Sequence, residues 1–165
     1  MAKVTLKGGE VNTVGVLPNV GTELPDFELV AQDLSVKNLD DFQGKRKILN
    51  IFPSVDTGVC AASAREFNKE VTSLDNTVVI NISKDLPFAI GRFCAAEGID
   101  NVETLSDFRS SYGDLLGLTM TDSPLAGLLS RAVIVVDEDN TIVYTEQVPE
   151  ITQEPNYEAA IASLI

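Results

Sequence analysis

The sequence predicts an α/β domain in which helices flank a buried β-sheet, preceded by an extra β-hairpin. Three observations lead to this prediction. The 165 residues are 44% hydrophobic, with apolar segments along the whole length, which suits one compact domain over residues 1–165. Several apolar runs are rich in β-branched residues, as in strands covered on both faces. Between these runs, apolar residues recur every three or four positions, which is typical of amphipathic helices.

The first part of the chain is predicted to form short extended elements. Val4–Leu6 and Val11–Val16 flank a Gly-Gly pair, a pattern that is typical of a hairpin. After a turn-rich connector, Phe27–Val30 predicts a short strand, and Asn38–Phe42 predicts a single helical turn.

The central part begins with the run Lys47–Phe52, which predicts a strand covered on both faces and stopped by Pro53. A helix is predicted over 58–74, because its apolar residues recur at spacings of four and three. Either Asp56 or Thr57 is its expected N-cap, since both side chains can accept a hydrogen bond from the first helical turn.

The alternation of strands and helices continues beyond this helix. Thr77–Ile82 predicts a second buried strand, and Leu86–Glu97 predicts a second helix that Gly98 ends. Val102–Leu105 predicts a short strand, and Asp107–Leu116 a weaker helix. The apolar stripe of the second helix is expected to consist of Leu86, Ile90, Phe93 and Cys94.

The last part supplies an antiparallel pair and a closing helix. Arg131–Val136 predicts a third long strand, a turn joins it to Thr141–Glu146, and Tyr157–Leu164 predicts the final helix. This order of elements is that of a thioredoxin-like α/β fold with an N-terminal β-hairpin extension. The fold by itself decides no chemistry.

The charge balance argues against two classes of partner. Twelve Lys and Arg residues oppose 25 Asp and Glu, for a net charge of -13. We therefore expect no nucleic-acid and no membrane partner, because a basic patch supplies most of the affinity for both. No apolar run approaches the ~20 residues of a membrane span or resembles a signal peptide, so the expected location is cytoplasmic.

Two missing residue types remove whole reaction classes. The chain has no His, which excludes His general bases, Ser/His/Asp and Cys/His nucleophiles, and His-containing zinc sites. It also has no Trp. Its two cysteines, Cys60 and Cys94, are too few for a structural zinc or iron-sulfur site and do not form a Cys-x-x-Cys pair. In a cytoplasmic protein, a disulfide between them would be transient and functional.

Cys60 lies where a buried strand passes into the first turn of a helix. Free backbone N–H groups and the helix macrodipole favour a negative sulfur at such a position. On spacing alone, Cys60 is equally well explained as a buried apolar residue, because free cysteines are commonly buried. For Cys94 taken alone, a buried structural thiol is the default interpretation. Likewise, Arg131 taken alone is explained as a surface arginine paired with one of many carboxylates.

Three motifs carry a resemblance that covers nearly the whole chain. The run Pro53-Ser54-Val55-Asp56-Thr57-Gly58-Val59-Cys60 resembles the peroxidatic motif Pro-x-x-x-Thr-x-x-Cys of peroxiredoxins. More narrowly, it resembles their thiol peroxidase branch, atypical two-cysteine enzymes that read Pro-Ser-x-Asp-Thr-x-Val-Cys. The segment from Leu86 to Gly98 around Cys94 is similar to the resolving-cysteine segment of that branch, and Ser130-Arg131-Ala132-Val133 to its arginine strand. Gly58 departs from the pattern, because many members have Pro there.

The resemblance implies a role for each of five residues. Cys60 would be the peroxidatic cysteine, attacking hydrogen peroxide or organic hydroperoxides and becoming a sulfenic acid. Thr57 would hold the peroxide, Pro53 would shield the pocket, and Arg131 would favour the thiolate. Cys94 would be the resolving cysteine that forms an intrachain disulfide, which thioredoxin then reduces. The family also implies a homodimer and no metal or organic cofactor. Exposed apolar surface for such a homodimer is expected from Phe88, Phe108 and Leu116.

Two other functions stay open at the level of sequence: a redox sensor or relay that signals through the disulfide, and a thioredoxin-like binding module with inert cysteines. A glutathione peroxidase type is disfavoured by the absence of Trp. Because Cys60 begins one predicted helix and Cys94 lies near the end of the next, we expect disulfide formation to require local unwinding of both segments.

Overall fold

A computed structural model describes residues 2–164 and consists of a two-stranded hairpin and a seven-stranded sheet with helices on both faces. This confirms the predicted fold class. The strands are β1 (Lys3–Leu6), β2 (Gly9–Asn12), β3 (Leu29–Val30), β4 (Val36–Lys37), β5 (Arg46–Ile51), β6 (Thr77–Ser83), β7 (Glu103–Ser106), β8 (Ala132–Val136) and β9 (Ile142–Gln147). The α-helices are α1 (Gly58–Glu70), α2 (Pro87–Glu97), α3 (Tyr112–Leu115) and α4 (Tyr157–Ala162), and 3-10 turns cover Leu39–Phe42 and Val71–Ser73.

The seven-stranded sheet has the order β4-β3-β7-β6-β5-β8-β9. Its centre is parallel, since β5 pairs with β6 and β6 with β7 in the same direction, whereas β8 runs antiparallel to β5. The parallel strands place their carboxyl ends at one edge, where the chain leaves β5 for α1 and β6 for α2. This edge is the usual location of reactive groups in open α/β sheets.

Side chains alternate between two apolar layers, one on each face of the central strands. On one face, Ile48 and Val79 pack with Phe67 of α1 and with α4, whose Tyr157 ring meets Phe67 edge-on. On the other face, residues such as Leu49 pack with α3 and the segment before β5. Covering on both faces explains why the strands read as nearly continuous apolar runs.

Lys47 is the buried charged residue within the otherwise largely apolar run of β5. It is fully buried, and its ammonium donates to the carbonyl of Lys45 at 2.9 Å and to Asn140 Oδ1 at 2.7 Å. Burial lowers the pKa of Lys47 below its ordinary value, and Asp137 partly opposes this effect.

Several predicted boundaries are corrected by the structure. The second hairpin strand ends at Asn12 rather than Val16. The first helix ends at Glu70, followed by the 3-10 turn, and only the last four residues before Leu116 are helical in the predicted helix 107–116. Leu86 precedes α2 as its N-cap and is half exposed, so it does not belong to the buried stripe. Short strand β4 has no periodicity long enough to be recognised.

The N-terminal hairpin docks onto the segment that follows β9. The N–H of Thr5 donates to the carbonyl of Pro149 at 2.7 Å, and the N–H of Ile151 donates back to Thr5 at 2.8 Å. Between them, the carboxylate of Glu150 accepts from the Thr5 hydroxyl and from the N–H of Gly8, both at 2.9 Å. The hairpin therefore fixes the position of residues 149–151.

Acidification should loosen this docking through Glu150. Hydrogen bonds from the N–H of Thr152 and of Gly8 lower the pKa of Glu150 to about 2, against 4.5 for a free side chain. Its contribution to docking is then complete above pH 4.5 and disappears as the pH falls towards 2. We expect the hydrogen-exchange protection of the Thr5 and Ile151 amides, corrected for intrinsic rates, to fall over this range. In Glu150→Gln that pH dependence should be absent; an equal dependence in both proteins contradicts the assignment.

Candidate active site

Cys60 lies in the first turn of α1 and is completely buried. Thr57 is the N-cap of this helix, as one of the two alternatives predicted, and its hydroxyl oxygen accepts from the N–H of Cys60 at 3.3 Å. The same hydroxyl donates to the carbonyl of Ser54 at 3.2 Å. The helix start therefore places the sulfur of Cys60 near unpaired backbone N–H groups, which favour negative charge.

Arg131 precedes β8 and extends its guanidinium into the protein, where only 1% of its surface is exposed. Its Nη2 lies 3.3 Å from the Cys60 sulfur, and its Nε donates to the carbonyl of Ile151 at 2.9 Å. The interpretation of Arg131 as a surface arginine is therefore wrong. The hairpin docking that fixes Ile151 also fixes the orientation of this guanidinium.

The charge on Arg131 has no carboxylate partner among the ion pairs between residues 2–164. Its Nη1 also has no hydrogen-bond partner among the described side chains and backbone. A buried, unpaired cation is costly, and an adjacent anion offsets that cost. The Cys60 sulfur, 3.3 Å away, can supply that anion, because a hydrogen bond from a guanidinium to sulfur is strongest when the sulfur is ionised.

A pocket of about 400 Å³ opens beside the guanidinium. Pro53, Thr57 and Arg131 line it, so three of the predicted site residues meet there. The Cys60 sulfur is completely buried 3.3 Å from Arg131 Nη2 and does not line the pocket. The wall also contains Lys7 from the hairpin and no carboxylate, in a chain whose net charge is -13. The remaining wall is mainly apolar: Leu6, Gly58, Val59, Leu125 and Ile151, with Thr152.

Asp85 anchors the loop between β5 and α1. Its carboxylate accepts from the Ser54 hydroxyl at 2.7 Å, from the N–H of Val55 at 2.8 Å and from the Ser83 hydroxyl at 2.7 Å. These bonds hold the loop that carries Pro53 and Thr57 against the end of β6. Asp85 was missed at the level of sequence, although its place just after a buried parallel strand is a usable signal.

Cys94 lies in α2 and is buried in a different apolar cluster from Cys60. Both cysteines are free thiols, and Phe93 packs against both clusters. The Cys94 thiol donates to the hydroxyl of Thr104 at 3.6 Å, a distance ordinary for sulfur. Burial raises the pKa of Cys94, and the Thr104 hydroxyl opposes this only in part.

The site thus brings Pro53, Thr57, Cys60 and Arg131 together and leaves Cys94 in the neighbouring helix. Within residues 2–164, there is no group of three or more His, Cys, Asp or Glu side chains that could hold a metal ion. None of the helices in the described part of the chain is long and apolar enough to cross a membrane. The arrangement is that of a buried Cys60 sulfur in contact with a buried guanidinium, which in turn lines a small, partly apolar pocket.

Comparison with known proteins gives consistent results. Residues 19–161 match the Redoxin family. The chain is 56% identical to the thiol peroxidase of Corynebacterium glutamicum, over 99% of both chains. Its structure superposes on a peroxiredoxin-like protein from Aquifex aeolicus with a TM-score of 0.94 and 35% identity, covering 99% of this chain and 96% of that one. A thiol peroxidase from Chromobacterium violaceum gives a TM-score of 0.90 and 25% identity, with 97% and 93% covered.

The match to the family covers most of the chain, and the match to the relative covers almost all of it. The N-terminal hairpin, which precedes the residues matched to the family, is included in the 99% of this chain that the Aquifex protein covers. The chain belongs to the Redoxin family, in its thiol peroxidase branch.

Proposed function

We propose that this protein is a thiol-dependent peroxidase that reduces hydrogen peroxide and organic hydroperoxides at Cys60. The observation that carries the proposal is the 3.3 Å contact between the Cys60 sulfur and the buried guanidinium of Arg131, which has no carboxylate partner among the described residues. This contact favours an ionised sulfur, which is the nucleophilic form of cysteine. The peroxidase activity of the closely similar Corynebacterium relative, as its name states it, supports the same function.

In the first step, the Cys60 thiolate attacks the nearer oxygen of the O–O bond. An S–O bond forms while the O–O bond breaks, which leaves Cys60 as a sulfenic acid and releases an alkoxide or hydroxide that takes a proton from water. Arg131 stabilises the charge that develops on the leaving oxygen, with Nη1 free to donate to it. The Thr57 hydroxyl holds the peroxide, and Pro53 limits access of water.

In the second step, the Cys94 thiol attacks the sulfenic acid. An S–S bond forms, and the hydroxyl of the sulfenic acid leaves with the thiol proton as water. Thioredoxin then reduces the disulfide by thiol–disulfide exchange. The separate burial of the two thiols around Phe93 supports the view that the first turn of α1 and the end of α2 unwind locally to bring the sulfurs together.

The surroundings of the site support the remaining partners. Apolar walls provided by Leu6 and Leu125 suit the alkyl part of an organic hydroperoxide. A homodimer is supported by exposed apolar side chains outside the pocket: Leu86, Phe88, Phe108 and Leu115. Leu116, predicted to contribute to such a surface, is buried instead. Because two thiols that cycle with thioredoxin require a reducing compartment, we place the protein in the cytoplasm.

Replacing each cysteine should separate the two steps. Cys60→Ser should abolish peroxide consumption, because the only other cysteine, Cys94, lies in a different apolar cluster and has no contact with Arg131 among the described residues. In the presence of thioredoxin and its reductase, Cys94→Ser should reduce one equivalent of peroxide per chain and then stop. Peroxide consumption and intact mass report both results. Normal turnover by Cys94→Ser would show that Cys94 is not the resolving residue.

Removing the guanidinium should weaken the nucleophile. Arg131→Met is expected to slow the first peroxide reaction roughly 100-fold, as loss of a donor to developing charge does elsewhere. It should also move the pH profile of Cys60 alkylation towards higher pH, measured in a Cys94→Ser background. The control is Arg65→Met, which removes an exposed arginine paired with Glu97 at 3.0 Å. If Arg131→Met and the control give the same profile, Arg131 has no such role.

A further inference from the structure

Three polar side chains cross the centre of the sheet side by side. Asn50 of β5 is paired in register with Asn81 of β6, and Asn81 is paired with Thr104 of β7. All three are at least 98% buried. We call Asn50, Asn81 and Thr104 the buried polar row.

Hydrogen bonds run along the buried polar row without interruption. Asn50 Nδ2 donates to Asn81 Oδ1 at 3.0 Å, and Asn81 Nδ2 donates to Thr104 Oγ1 at 3.3 Å. Because side chains alternate along strands, the three residues share the sheet face that α1 and α2 cover. Their neighbours on that face, Ile48 and Val79, are apolar.

Each end of the row reaches one of the two cysteine-bearing helices. At the α1 end, Asn50 Nδ2 also donates to Ser63 Oγ at 3.3 Å, and the Ser63 hydroxyl donates to the carbonyl of Cys60 at 2.9 Å. At the α2 end, Thr104 Oγ1 accepts from the Cys94 thiol at 3.6 Å. The row therefore links the backbone of Cys60 to the side chain of Cys94 beneath both helices.

Filling this part of the core with the buried polar row costs more free energy than filling it with apolar side chains. Asn50 Oδ1 is buried and accepts no hydrogen bond from any described group. Apolar side chains of similar shape would leave no such group, and their strands would pair equally well. Stability alone therefore does not account for the row, and its contact with Cys94 suggests what else it does.

We infer that Thr104 is a positioning residue for the resolving step: its hydroxyl holds the Cys94 thiol in the reduced fold and so opposes disulfide formation. This inference rests on the proposed function. A hydroxyl oxygen has two acceptor positions, and Thr104 uses them for Asn81 and Cys94. Burial raises the pKa of Cys94, which keeps the sulfur neutral and able to donate to Thr104, although the Thr104 contact itself opposes this rise in part.

The hydrogen bond between Cys94 and Thr104 stabilises only the reduced protein. In the reduced protein, the Cys94 S–H donates to Thr104. When Cys94 bonds to the Cys60 sulfur, the thiol proton leaves in water and this donor no longer exists. The bond between Asn81 and Thr104 does not involve either sulfur, so it contributes nothing to the difference. Holding Cys94 therefore makes the disulfide more readily reduced, which suits recycling by a dithiol protein.

Thr104→Val is the test, with Thr104→Ser as the matched control that keeps the hydroxyl. Each full-length protein is equilibrated with reduced and oxidised dithiothreitol, and the disulfide fraction is measured by intact mass after acid quenching. We expect Thr104→Val to shift the equilibrium towards the disulfide three- to tenfold, the larger value corresponding to about 30 mV for two electrons. Thr104→Ser should remain within twofold of the wild type.

A kinetic readout distinguishes holding from simple destabilisation. After one equivalent of peroxide, Thr104→Val should form the disulfide faster than the wild type. At high peroxide, it should also accumulate less sulfinic acid at Cys60, because a shorter-lived sulfenic acid has less time to be oxidised again. Unchanged equilibrium and kinetics in Thr104→Val, or equal shifts in Thr104→Val and Thr104→Ser, would overturn the inference.

A spectroscopic measurement keeps the test decisive if Thr104→Val does not fold. In Cys60→Ala the only thiol of the chain is Cys94, so its S–H stretching band can be assigned in the Raman spectrum. A band at the frequency of a hydrogen-bonded thiol supports the contact, and one at the frequency of a free thiol overturns it. Failure of the proposed function is recognised separately: in that case, the wild type forms no Cys60–Cys94 disulfide with peroxide.

Discussion

The buried guanidinium of Arg131 is the constraint on which the arrangement of the site depends. A charge with 1% of its surface exposed needs compensation, and the Cys60 sulfur at 3.3 Å is the group placed to give it. Three parts of the fold meet around this pair. The first turn of α1 brings the sulfur, the start of β8 brings the guanidinium, and the docked hairpin fixes the Ile151 carbonyl that orients it. The positive charge of Arg131 and the N-terminal end of α1 therefore both act on the Cys60 sulfur, and the guanidinium also lines the pocket.

Elements with a strong local pattern could be predicted from the sequence, and those set by distant contacts could not. Strands β5, β6 and β8 and helix α2 were found to within two residues, because apolar runs and a terminal Gly mark them locally. Helix 107–116 was too long, because residues before Ser111 are held by Asp107 and Lys84 in a loop instead. The prediction that Leu116 is exposed is wrong for a similar reason, since only tertiary packing decides which side of a short helix is covered.

The reacting residues of the site can be recognised from motifs, whereas the residues that position them cannot. The motif around Cys60 and the segment at Arg131 could be identified by resemblance, but the burial of Arg131 depends on a contact between residues 71 positions apart. Asp85 and Lys7 lie in segments without a catalytic pattern, and they reach the site only through the fold. The buried polar row was concealed within runs that otherwise read as apolar strands. In the sequence, each of its residues is a single polar residue among apolar ones. Only the pairing register of β5, β6 and β7 shows that the three are neighbours.

The long separation between Cys60 and Arg131 has a consequence during synthesis on the ribosome. The nucleophile is made 71 residues before its guanidinium, and the Ile151 carbonyl that orients the guanidinium comes later still. A nascent chain therefore contains the cysteine without the environment that activates it. The oriented contact between the Cys60 sulfur and Arg131 therefore forms only after the chain up to Ile151 has been made and has packed against the N-terminal hairpin.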